Sequence, residues 1–452
     1  MRSPWTTDNP QCVGSVGAHL DGSAYKCVQR ESGWPAPSWA RLEERAHQVA
    51  RRYCAGVVQM IKTERRRHAA RAIVALAALA ALSSACTPEA PPAADADQQA
   101  ATPTATVPAT PAPSTAARPP TGIDYTAMTR QLTRKIENGP DSLKAVRAVL
   151  VSVDGSTTLS YYQDRKPTEQ AHIYSVTKSV VSILVGIAID EGRLRLDQTL
   201  ADLLPEHVSV MTPAQRAITL KQLITMTAGV SVSDGGMNLK AEDPVESILA
   251  FGMSSDPGAT FGYSDGSAHL VATVLRRAID RPILDYAREK LFDPLGIDTH
   301  PAWEGSDPAT KNGFDDAGFA WLIDSTGVHS GGYGLRLTAP DLLKIGQLYL
   351  DGGRWKGRQL VSQSWVREST SNQLTAEQGR NGDQYGYLWW PINEPESPGY
   401  LAVGSWYQRI FVIPSRRLVI VVTADRSDYA ESVVPTDFEP VLVETVIEPL
   451  LQ

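Results

Sequence analysis

One helix organises this sequence. After Tyr174 the chain reads Ser175-Val176-Thr177-Lys178 and continues through Val180, Val181, Ile183, Leu184, Val185, Ile187 and Ile189. Ser182 and Gly186 interrupt that apolar run, and Asp190-Glu191 lead to Gly192, a residue suited to a helix C-cap. Positions three apart share a helix face, so Ser175 Oγ and Lys178 Nζ converge at the helix N-terminus, where backbone N–H groups and the positive dipole end also point. A serine is a poor nucleophile at neutral pH, but a partly desolvated lysine held neutral beside it takes its proton. The pair therefore points to an active-site serine with a lysine partner. The pattern is short, and Ser23-Ala24-Tyr25-Lys26 fits it too, so its weight comes from the rest of the chain.

Charge is unevenly spread over the 452 residues. Residues 1–86 carry 12 Lys/Arg and 6 Asp/Glu; the remainder carries 31 and 44, a net charge of −13. An acidic body argues against nucleic acid or an anionic membrane surface as the main partner. The four cysteines, Cys12, Cys27, Cys54 and Cys86, all precede the globular part, which therefore has no disulfide and no thiolate nucleophile or metal site.

The N-terminal third divides into three. Residues 1–59 show no sustained periodicity and receive no role. From Met60 the text changes to Arg65-Arg66-Arg67, Arg71, an apolar run over 72–82, and Ser83-Ser84-Ala85-Cys86. A basic region, a short apolar core and small residues make a secretory signal, too short to span a bilayer comfortably. The stretch resembles a lipoprotein lipobox with Cys86 as the lipidated residue, although Leu82 stands one place too far upstream. The expectation is that Met60 is the true start, that 60–86 is a lipoprotein-type signal, and that the product is exported and anchored in the cell envelope. Residues 87–121, mostly Ala, Pro and Thr, cannot bury enough surface to order themselves and read as an extended tether.

Residues 122–452 form the globular part. A short helix over 124–138 precedes strands over 146–153 and 158–162, joined at Asp154-Gly155, a hairpin signal. Far downstream, 400–403, 410–413 and 418–423 read as three more. The expected fold is α+β: an antiparallel sheet of about five strands drawn from both ends of the domain, flanked by helices, with a mainly helical subdomain between. Helices are expected over 218–229, 268–279, 284–292 and 342–350, the last opened by a Thr338–Asp341 capping box. A final helix over 441–447 should stop before Pro449.

Eighty-eight residues after Ser175, the stretch Pro257-Gly258-Ala259-Thr260-Phe261-Gly262-Tyr263-Ser264-Asp265 supplies a tyrosine on a loop that caps the next helix. A phenol near a lysine ammonium can relay a proton between the serine and a leaving group. Asp265 could hold Lys178 or cap the helix. Gly262-Tyr263-Ser264-Asp265-Gly266 also fits a Gly-x-Ser-x-Gly nucleophile elbow, but that elbow needs a buried strand before it, and Pro257-Gly258 stands there.

Taken in order, these motifs resemble the β-lactamase-related serine hydrolases: class C β-lactamases, D-alanyl-D-alanine carboxypeptidases, and related esterases and nylon-oligomer amide hydrolases. The matches run over roughly 140–425. They are Ser175-x-x-Lys178, the 218–229 helix, Pro257-Gly258 into Tyr263-Ser264-Asp265, the stretch 291–297, Gly334-Leu335-Arg336-Leu337-Thr338, the stretch 346–353, Trp365, and Tyr385-Gly386-Tyr387 before Trp389-Trp390.

The resemblance implies catalysis by Ser175, Lys178 and Tyr263 through an acyl-enzyme, on a small ester, amide or peptide-like substrate, with no cofactor. No metal is expected either, since the histidines are scattered and no zinc spacing occurs. The family's third motif, a Lys/His/Trp-x-Gly on the strand beside the site, falls on Ala402-Val403-Gly404-Ser405-Trp406-Tyr407-Gln408. By register Ser405 takes the Lys/His position, and the Gln408 N–H is expected to join that of Ser175 as oxyanion hole. Relatives have glycines where Trp406 and Tyr407 stand, so these aromatics, with Asp265, are expected to shape substrate binding. Trp389, Trp390 and Tyr400 are either pocket lining or core.

His329-Ser330-Gly331 mimics the third motif but leads into a helix entry and is assigned to structure. Asp265 replaces the Asn of β-lactamases and there is no Lys-Thr-Gly, which favours ester or amide hydrolysis over antibiotic hydrolysis. A carboxypeptidase or β-lactamase, and a non-catalytic envelope-tethered binding protein, are the alternative readings.

Overall fold

The structure is a computed structural model. It describes residues 122–164, 166–230, 232, 237–306, 313–379, 382–393, 397–425 and 438–451. The signal, Cys86 and the tether lie outside the described residues.

The helix α1 (Tyr125–Glu137) opens the domain, with Asp124 capping its N-terminus through the Ala127 N–H. Strands β1 (Val146–Val153) and β2 (Ser156–Tyr162) follow as a hairpin whose two-residue turn puts Asp154 and Gly155 at positive φ, as a type I′ turn demands. The short β3 (Gln170–His172) leads into α2 (Val176–Asp190). Then come α3 (Leu220–Ile224), α4 (Asp265–Ile279), β4 (Arg336–Thr338) and α5 (Ala339–Leu350). Strands β5 (Trp390–Ile392), β6 (Gly399–Gly404), β7 (Gln408–Ile413) and β8 (Leu418–Ala424) close the sheet, and α6 (Phe438–Leu442) begins the C-terminal helices.

The main sheet has six antiparallel strands in the order β2-β1-β8-β7-β6-β5. The five expected strands are present, and β1 pairs directly with β8, so both ends of the domain meet at its centre. The sixth, β5, escaped the sequence reading because Pro391 sits in it. Proline lacks the ladder N–H and is tolerated at a sheet edge, which is where β5 lies. On one face, α5 packs against β1, β7 and β8. Its Gly346 allows that approach: a Cβ there would clash with Val419 Cγ1 and come within 2.9 Å of Ile410 Cγ2.

Helix α2 is buried from Val176 to Ala188, which explains its apolar run. Gly186 lets a bulky neighbour press close, since a Cβ there would run into the Trp365 indole. The expected helix over 268–279 begins three residues earlier, at Asp265, with Ser264 as its N-cap. The Thr338–Asp341 capping box is complete in both directions.

The helix expected over 218–229 is shorter, α3 ending at Ile224 with Thr225 as its C-cap, and the end of the chain differs too. The last helix does not stop before Pro449: the chain widens to a π turn over Val443–Ile447, where the Glu448 N–H bonds Val443 O, and continues as Glu448–Leu451. The same device precedes Pro294, with a π turn over Arg288–Phe292. A wider turn shifts the hydrogen-bond register ahead of each proline.

Candidate active site

Ser175 stands at the N-cap of α2, yet its hydroxyl makes no capping bond. Tyr174 before it is held in the left-handed region at φ 47°, a turn fixed by neighbouring bonds. Ile173 N–H donates to Leu335 O at 3.0 Å, and Thr177 Oγ1 donates to Tyr174 O at 2.6 Å. Positive φ in a bulky residue is strained and persists where surrounding contacts impose it. Beneath this turn His172 stacks on Tyr174 at 3.8 Å, and its Nε2 accepts the Gly334 N–H at 3.2 Å. Burial, with the Arg336 charge adding, lowers the His172 pKa to about 3, so the ring is a neutral acceptor.

The Lys178 ammonium directs three hydrogen bonds at fixed partners. Nζ donates to Ser175 Oγ at 3.0 Å, to Gly332 O at 2.8 Å and to Asp265 Oδ1. Lys178 is 1 % exposed and Asp265 2 %, so the pair is removed from water and each charge depends on the other. Nζ also lies over the Tyr263 ring, 4.7 Å from its centroid. Ser175, Lys178 and Tyr263 are thus brought to one place, although 88 residues separate the first and last. Trp390 stacks on the Tyr263 ring at 6.0 Å, and Tyr385 packs edge-on to both. Burial pushes the Tyr385 phenol well above its ordinary range; the Tyr263 phenol adds, and Lys178 opposes.

Asp265 belongs to Lys178, and the helix cap falls to Ser264 instead. Ser264 Oγ accepts the Ser267 N–H at 3.0 Å and donates to Val232 O at 3.2 Å, fully buried. It is no nucleophile elbow. The nearby His269 is engaged elsewhere, 3.0 Å from Asp324. His329 turns to Glu304 at 2.9 Å.

The third motif forms a hairpin turn, Ser405–Tyr407, between Gly404 of β6 and Gln408 of β7. Gly404 abuts the turn before α2: a Cβ there would strike Ile173 O and come within 3.3 Å of Ser175 N. Trp406 (φ 57°) and Tyr407 (φ 67°) both occupy the left-handed region that glycine favours. They keep the glycine backbone while carrying aromatic rings. Tyr407 is pinned by Phe438, edge-on at 5.4 Å, and by Arg409, 4.6 Å from its ring. Arg409 also donates to Gly404 O and Gln408 O, at 2.6 and 2.8 Å. Ser405 and Trp406 are half-buried at the start and tip of the turn.

Gln408 is a correction. Its N–H was expected at the oxyanion hole, but it donates to Ser405 O inside the turn. Its side chain is buried and bonded to the Ala424 backbone. A three-residue hairpin turn uses that N–H to close itself.

Sequence reasoning missed two participants. The Gly332 carbonyl lies just beyond the decoy His329-Ser330-Gly331, and its signal was the glycine pair: a Cβ on Gly331 would collide with Ala268 O, and one on Gly332 would come within 2.8 Å of Asp265 Oδ1. Tyr385 was visible only as part of a motif. Trp389, stacked on Tyr349 at 4.4 Å and fully buried, is core, whereas Trp390 borders the site. Among the described residues, no group of three or more His, Cys, Asp or Glu is placed to hold a metal ion.

Known proteins give this geometry a setting. The chain is similar to the 6-aminohexanoate-dimer hydrolase of Paenarthrobacter ureafaciens, 24% identical over 297 residues, which span 61% of this chain and 71% of that protein. It is similar to the lovastatin esterase of Penicillium rubens, 27% identical over 160 residues, 30% of this chain but only 40% of that one. In structure it is similar to a penicillin-binding protein homologue from Caulobacter crescentus, with a TM-score of 0.56 at 19% identity, covering 73% of this chain and 98% of that one. The beta-lactamase family's sequence profile matches residues 132–439, which include α2, the Tyr263 loop and the Gly404 hairpin, and the chain therefore belongs to the beta-lactamase family.

Proposed function

We propose that this chain is a serine hydrolase that cleaves a small ester or amide through an acyl-enzyme on Ser175. The observation that carries the reading is the buried Lys178 Nζ, 3.0 Å from a Ser175 hydroxyl that does not cap its helix. Ser175 Oγ attacks the carbonyl carbon, and Lys178 with Tyr263 moves its proton to the leaving group. The oxyanion forms at the positive end of α2, where the Ser175 N–H points. The Gly404–Ser405 segment, pressed against Ser175 N, is the place for a second donor, rather than Gln408. Water then resolves the acyl-enzyme.

Relatives that act on an amide dimer and on an ester support both bond types. Asp265 and the aromatic hairpin favour these over a β-lactam. A panel of short acyl esters, linear amides and a chromogenic cephalosporin tests the reading. Turnover of an ester or amide that disappears in Ser175→Ala supports it. Turnover confined to the cephalosporin, or unchanged in Ser175→Ala, counts against it. Export and anchoring through Cys86 belong to the same proposal: Cys86→Ser should leave the protein unlipidated and released from the cell envelope.

A further inference from the structure

We propose that Asp265 is the proton store of this site: it accepts, through Lys178, the proton that Ser175 loses. The inference rests on Ser175 being the nucleophile. Lys178 Nζ has three hydrogens and three bonded partners, Ser175 Oγ, Gly332 O and Asp265 Oδ1. An ammonium so saturated takes a further proton only by giving one up. Of the three partners the carboxylate is the strongest base, far above a hydroxyl or a peptide carbonyl. Burial of both side chains keeps water from serving instead. Gly332, whose backbone passes so close to Asp265 Oδ1 that a Cβ would stand 2.8 Å from it, holds the carboxylate in place.

The steps balance. At rest the pair is ammonium and carboxylate, neutral in sum. As the Oγ–carbon bond forms, the carbonyl π electrons move to oxygen. One Nζ proton passes to Asp265 Oδ1, and the Ser175 proton passes to the nitrogen lone pair so freed. The pair becomes ammonium and carboxylic acid, and its single positive charge offsets the oxyanion. When the bond to the leaving group breaks, the proton returns through Nζ to the departing oxygen or nitrogen. Against Asp265 stand Lys178 from α2 and the Gly332 backbone, with the Tyr385 phenol of the segment before β5 within reach of its charge; Tyr263 lies over Lys178 Nζ. Farther along α4, His269 is paired with Asp324 and stands apart from the relay.

The test follows hydrolysis of a p-nitrophenyl ester against pH in wild type, Asp265→Asn and Asp265→Glu, with a fluorophosphonate label reporting Ser175 separately. Asparagine keeps the shape and an acceptor oxygen but cannot store a proton. Asp265→Asn should lower kcat by about a hundredfold or more with little change in KM, and should erase the acid limb of the pH profile. Asp265→Glu should restore part of the rate and that limb. The wild type gives an independent reading, since its rate must fall about tenfold per pH unit once the carboxyl is protonated. A superimposable profile in Asp265→Asn, or a flat acid limb in wild type, overturns the role of Asp265 while labelled Ser175 preserves the hydrolase reading. No label on wild-type Ser175 overturns both.

Discussion

A serine at a helix N-cap ordinarily bonds the backbone N–H two or three residues on, and losing that bond costs about 1 kcal/mol. Ser175 makes no such bond, its hydroxyl receiving Lys178 Nζ instead. Two serines or threonines in this fold should therefore respond oppositely to truncation. Ser175→Ala should abolish turnover and leave the urea midpoint within about 0.5 kcal/mol of wild type. Thr338→Ala, which removes a complete capping box, should cost about 1 kcal/mol and spare turnover. Equal losses of stability would contradict the view that Ser175 is held for chemistry. Lys178 is a different case. Lys178→Ala strands a buried carboxylate and should destabilise by about 3–5 kcal/mol. Adding Asp265→Ala should recover part of that loss, as a double-mutant cycle would show; strictly additive losses would mean that the two groups are not coupled.

At the scale of elements, the site joins the left-handed turn before α2, the loop before α4, the Gly332 segment and the β6–β7 hairpin. Gly404 is where the hairpin touches α2. Gly404→Ala should push the hairpin off the Ser175 turn and, if Ser175 is the proposed nucleophile, lower kcat by tenfold or more, about the cost of a misplaced oxyanion donor, with the far-ultraviolet spectrum unchanged. An unaffected kcat would remove the hairpin from the mechanism.

Strand β3 contributes a pH dependence through His172. The ring's pKa is lowered to about 3 by burial and then by Arg336, while the unfolded chain takes up a proton near 6.5. Between those limits the unfolded state binds more protons, so stability falls as pH falls, by at most about 1.4 kcal/mol per unit from this group. Above that window the group contributes nothing. His172→Gln, which can still accept the Gly334 N–H, should flatten the acid side of a stability–pH curve. Identical slopes would show that the ring is protonated in the fold.

Much of this was legible in local sequence. The Ser175 helix, the Asp154-Gly155 hairpin and the Thr338 capping box each follow from a few adjacent residues. What escaped depends on neighbours remote in sequence. Pro391 disguised an edge strand, because only the sheet order reveals that no partner needs its missing N–H. Gln408 lost its expected role to the closure of its own turn. Gly332 reached Lys178 from beyond a decoy motif.

For the whole molecule, the central fact is that β1 and β8 pair, so residues 146–153 and 418–424 must meet before the sheet exists. The long separation makes these late, costly contacts in folding. Every described core residue lies at or after Met128. A chain ending before Leu418 loses the strand at the middle of the sheet and should not fold.

The account turns on one covalent bond. Intact-mass and peptide analysis after fluorophosphonate treatment tests it most directly. The account predicts a single adduct on the peptide carrying Ser175, formed by wild type and absent from Ser175→Ala. An adduct on any other residue, or one that persists in Ser175→Ala, would contradict it.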